Sequence, residues 1–117
     1  NVAIGGNSMD ALTTGICNVA IGTNSLGAST IGCLNVAIGN LALGAGVTTG
    51  IDNIAIGTTA MDALTSGVGN IAIGQDALGA TSNGYQNIAI GENSLSNANV
   101  SGCRNVAIGL YAAKVMT

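Results

Sequence analysis

The residues able to do chemistry are few in this chain: three cysteines (Cys17, Cys33, Cys103), five carboxylates and two cations (Arg104, Lys114), with no histidine among 117 residues. Without an imidazole, neither a Ser-His nor a Cys-His dyad can be assembled, and histidine-based metal sites are excluded with them. Glycine is abundant, at 19 residues. Yet no Gly-Lys-(Ser/Thr) and no Gly-x-Gly-x-x-Gly follows a strand, so these glycines read as corners and not as phosphate loops. A net charge of −3, with only two basic residues, argues against a nucleic-acid partner, whose phosphates need basic side chains. No apolar run approaches the roughly 20 residues of a membrane-spanning helix. The expectation is a non-enzyme without catalytic residues or a cofactor.

Position matters more than composition here. The pentapeptide Asn-(Val/Ile)-Ala-Ile-Gly starts at Asn1, Asn18, Asn35, Asn53, Asn70, Asn87 and Asn105, at spacings of 17, 17, 18, 17, 17 and 18 residues. The order of spacings itself recurs, so 1–52 and 53–104 read as a duplicated triplet. Met9, Leu26, Leu43, Met61, Leu78 and Leu95 form one apolar column. A second, Ile16, Cys33, Ile51, Val68, Tyr85 and Cys103, follows the glycines at 15, 32, 50, 67, 84 and 102. A period this short cannot hold a helical hairpin, and glycine with β-branched residues favours strands. The pattern predicts an all-β solenoid, a parallel β-helix or β-roll, over 1–117 as one repeat domain within a longer chain. Its rungs begin at 1, 18, 35, 53, 70, 87 and 105.

If each unit is one rung, like residues stack about 4.8 Å apart. The asparagines Asn1, Asn18, Asn35, Asn53, Asn70, Asn87 and Asn105 then form an amide ladder at a corner. Alternation along the strand sends the two β-branched residues to one face and alanine to the other. Ile4, Ile21, Ile38, Ile56, Ile73, Ile90 and Ile108 are expected in the core. Ala3, Ala20, Ala37, Ala55, Ala72, Ala89 and Ala107 would then present a smooth outer face suited to packing against other copies. The expected partner is the chain itself, as a homotrimer or filament.

The stacking also sorts the chemical groups. Asp10 and Asp62 share a column but lie three rungs apart, roughly 14 Å. Asp76 and Glu92, in adjacent rungs, are the one carboxylate pair able to hold Ca²⁺ or a sugar hydroxyl, although a solvated turn is the plainer meaning. Cys33 and Cys103 are four rungs apart, roughly 19 Å, too far for a disulfide, and read as small core residues. Cys17 is expected to face away from Cys33. Thr13, Thr30, Thr48, Thr65 and Ser82 make a polar row, and Asn99-Val100-Ser101 is a glycan sequon.

Val-Ala-Ile-Gly-x-x-Ser, as in Val19 to Ser25, resembles the head repeat of YadA-like trimeric autotransporter adhesins. Thr13-Thr14-Gly15 and Thr48-Thr49-Gly50 before the next Asn-x-Ala-Ile-Gly resemble repeats of phage tail fibres and large bacterial surface proteins. The resemblance covers the whole chain and implies trimeric β-solenoids serving as rigid spacers and adhesive surfaces. The expected function is therefore a structural and adhesive segment of an extracellular fibre on a cell surface or virion, with contact to a glycan or receptor. The alternative is a free-standing ice- or carbohydrate-binding solenoid.

Overall fold

A computed structural model describes residues 1–46, 48–81, 83–97 and 102–114. It is an all-β solenoid of about six turns, one pentapeptide to each rung. The strands are β1 (Val2–Ile4), β2 (Val19–Ile21), β3 (Val36–Ile38), β4 (Ile54–Ile56), β5 (Ile71–Ile73), β6 (Ile88–Ile90) and β7 (Val106–Ile108). They form one parallel sheet in chain order. The register is strict, with Ala37 level with Ala55 and Ile38 with Ile56. The body is a short rod, 36 × 20 × 17 Å along its principal axes.

Each strand is only three residues long because both of its ends are forced. At its C-terminal end stands a glycine with φ between 125° and 135°, a conformation that a side chain does not tolerate. A Cβ on Gly57 would lie 2.6 Å from the carbonyl carbon and oxygen of Gly74 in the next rung, so close stacking requires glycine there as well. At the N-terminal end a left-handed residue turns the chain into the asparagine, as at Cys17 (φ 59°) and Gln86 (φ 55°).

The turns after the strands are bonded from rung to rung as the strands are. Met9 N–H donates to Ser25 O at 3.0 Å, Leu26 N–H to Ala42 O at 3.0 Å, and Leu43 N–H to Ala60 O at 3.0 Å. These bonds hold two further columns in the left-handed region, one containing Asn7, Leu41 and Thr59, the other Met9, Leu43 and Met61. Leucine, methionine and threonine disfavour that region in isolation. The stack imposes it, because every residue of a column must repeat the path of its neighbours.

The core is thin. Ala20, Ala37, Ala55, Ala72 and Ala89 are fully buried, together with Leu26, Leu43, Met61, Leu78 and Leu95, in a single cluster. This reverses the expected placement of the strand's two faces. Ile4, Ile21, Ile38, Ile56, Ile73, Ile90 and Ile108 are not core residues but outward ones, from half-buried in the middle rungs to 58% exposed at Ile4 and 67% at Ile108. The physical reason is room. A 17-residue loop encloses little space, the Leu/Met column occupies most of it, and only a methyl group fits on the strand side.

Candidate functional site

Two features run the length of the rod: an inner spine of asparagines and an outer face of aliphatic side chains. In the spine, the corner turns each asparagine inward, and Asn18, Asn35, Asn53, Asn70 and Asn87 are buried. The backbone N–H of Asn70 donates to Asn53 Oδ1 at 3.0 Å, and Asn70 Nδ2 donates to the same oxygen at 3.0 Å and to Gly84 O at 2.7 Å. The pattern recurs from Asn53 to Asn35, at 3.0 Å from N–H and 3.1 Å from Nδ2, with Gly67 O at 2.9 Å. One amide thereby satisfies the backbone N–H of the following rung and the carbonyl of the glycine that closes its own rung. Burial of so many polar groups is stable because each has partners.

The outer face consists of positions two and four of each strand. The residues are Val2, Val19, Val36, Ile54, Ile71, Ile88 and Val106 in one column and the seven isoleucines in the other. No charged or hydrogen-bonding side chain interrupts either column. Because like residues repeat at one strand spacing, the face is a regular aliphatic grid, half-covered by its own neighbours and otherwise open. A second outward strip lies before the asparagine corner, where Ile16 is 62% and Tyr85 44% exposed.

The second apolar column therefore lies outside the core, and Cys103 with it: it is exposed, while Cys33 is only part-buried. Neither is the core residue expected of it. Cys17, one rung from Cys33, is exposed too. The threonine row is interrupted. Thr13 and Thr65 are exposed, but Thr48 is buried, its Oγ1 3.1 Å from Leu64 O, and Thr49 takes the outer place. The added residue of this 18-residue rung shifts the chain by one position before Gly50. Ser82 and the sequon at Asn99 lie outside the described residues.

The carboxylate of Asp76 is already engaged within the stack. Its Oδ1 accepts a short bond from Thr59 Oγ1 and its Oδ2 accepts from Gln75 Nε2 at 3.3 Å, while Glu92 is exposed one rung on. Asp62, set aside in the sequence because Asp10 lies three rungs away, is the carboxylate whose titration the fold alters. Desolvation by partial burial raises its pKa above the usual carboxylate value of 3.8, and the charge of Asp76 adds to that rise. Among the described residues no group of three His, Cys, Asp or Glu side chains gathers to hold a metal. No helix among the described residues is long and apolar enough to cross a membrane. Comparison with family models, curated proteins and solved structures gives no match to this chain.

Proposed function

We propose that the chain is a rigid structural and adhesive segment of an extracellular fibre, of the kind found in phage tail fibres and bacterial surface adhesins, and that it works as a homotrimer or filament of parallel rods. The observation that carries this reading is the Val/Ile grid. Fourteen aliphatic side chains share one face with no polar side chain among them, six of them 36–67% exposed, and a contiguous exposed apolar face of this kind marks an interaction surface.

A second copy is the occupant that fits. The grid repeats at the strand spacing, and another rod of the same pitch offers side chains at matching intervals along its whole length. Copies running side by side in one direction keep like rungs level, and rotational symmetry about an axis along the rods closes the assembly. The trimer expected from an outer alanine face is thereby moved to the opposite side of the strand. Adhesion to a glycan or receptor would fall to the outer turns, whose chemistry varies from rung to rung.

Light scattering tests the assembly. The reading predicts about three times the 11.2 kDa chain mass, or an open filament. A stable, well-folded monomer at micromolar concentration contradicts it.

A further inference from the structure

Cys17 and Cys33 are separated by 16 positions in sequence and by one rung in the stack. Leu34 N–H donates to Ile16 O at 3.1 Å, the same bond by which Asp52 N–H reaches Cys33 O where Cys33 pairs with Ile51. Cys33 is thus level with Ile16, and Cys17 is its diagonal neighbour. With about 4.8 Å between rungs and 3.8 Å between consecutive Cα atoms, the diagonal is roughly 6 Å, inside the ~4.4–6.8 Å span of a disulfide.

Both columns open to solvent: the left-handed turn at Cys17 (φ 59°) breaks the usual strand alternation, leaving Cys17 exposed and Cys33 part-buried while Asn18 is buried. Cys33 Sγ donates to Ile31 O at 3.4 Å, so closing the bond requires that thiol to leave this carbonyl by a rotation about χ1. Side chains in the Cys17 column do reach across rungs, since Arg104 Nε donates to Gln86 Oε1 at 3.3 Å. Cys103 has no such neighbour, being four rungs from Cys33.

We infer that Cys17 and Cys33 are a redox-closable staple between the first and second rungs, formed by exchange with a low-molecular-weight disulfide. One cysteine thiolate attacks that disulfide and releases one small thiol; the other attacks the mixed disulfide and releases the second. The two protein thiols lose two protons and two electrons, and the oxidant carries both away as two small thiols. The bond ties the first rung to the second across the stack. It does not depend on the fibre reading, because it forms within one chain.

The test uses the full chain in glutathione buffers of varied oxidised-to-reduced ratio, quenched by alkylation in denaturant and read by mass spectrometry. The expected product is a single chain two mass units lighter, alkylated once, at Cys103. C103S keeps the mass loss, and C17S and C33S each abolish it while retaining the far-ultraviolet circular dichroism of the parent. The midpoint ratio for closure in the native chain is expected at least tenfold below that in urea, because the stack holds the two thiols together. Alkylation of Cys17 in the oxidised native chain, exclusive bridging through Cys103 between chains, or an equal midpoint in urea overturns the inference.

Discussion

Ala55 and Ile56 are neighbours in one strand, and the fold treats them oppositely. The alanine is sealed against the Leu/Met column, whereas the larger, more apolar isoleucine stands on the outside. Ranking by hydrophobicity alone places them the other way round. The difference teaches that in a narrow coil volume outranks hydrophobicity: the interior takes the side chain that fits, and the surplus aliphatic area becomes surface. On the proposed reading that outer face is the association surface, so the same constraint that thins the core would supply the rod's interface.

Several substitutions would break or sharpen this contrast. The largest effect is expected inside, at the spine. Asn53→Ala leaves the backbone N–H of Asn70 and the carbonyl of Gly67 without their partners, at roughly 1–3 kcal/mol for each buried unpaired group. A loss of roughly 3 kcal/mol or more is expected in urea unfolding; a loss below about 1 kcal/mol would mean that water replaces the amide. Overfilling the alanine face comes next. Ala72→Leu forces three extra carbons into a site with no exposure and is expected to cost about 1–3 kcal/mol. Ile73→Thr, on the outer face, should cost under about 1 kcal/mol in the dissociated chain, near the range of surface changes. Equal costs at 72 and 73 would erase the distinction between the faces.

Smaller effects are expected in the turns. Leu41 is held at φ 56°, and Leu41→Asn places there a residue that tolerates the left-handed region, for an expected gain of about 0.5–1 kcal/mol in thermal melts. The smallest effect concerns Asp62. Its raised pKa means that the folded chain holds this proton more tightly than the unfolded one. The associated stability is complete below the ordinary value of 3.8 and is lost as pH rises through the higher folded value. Asp62→Asn should flatten that limb in melts between about pH 3 and pH 6. An unchanged slope would assign it to other carboxylates.

The repeat carried the architecture openly. Seven copies of Asn-(Val/Ile)-Ala-Ile-Gly in register are enough to infer rungs, and the glycine after each strand was legible as a corner because only glycine takes its φ. What could not be read was which face of the strand turns inward. Val, Ala and Ile alternate in either case, and the deciding quantity is the cross-section left by the rest of the rung. The left-handed turns were hidden for a related reason. Leu41, Thr59 and Tyr111 carry no local signal for positive φ, and the backbone bonds that impose it come from adjacent rungs. The shift that buries Thr48 likewise arises from one added residue, whose place in the coil depends on its neighbours above and below.

The most direct test of the account pairs two charges on adjacent positions of β4. Ala55→Asp and Ile56→Asp are each examined by circular dichroism for folding and by light scattering for mass. With alanine inside and isoleucine on the association face, Ala55→Asp should fail to fold, since it buries an unpaired carboxylate. Ile56→Asp should keep the β signal and fall to the mass of a single chain. A folded, associating Ala55→Asp beside an unfolded Ile56→Asp would contradict the account.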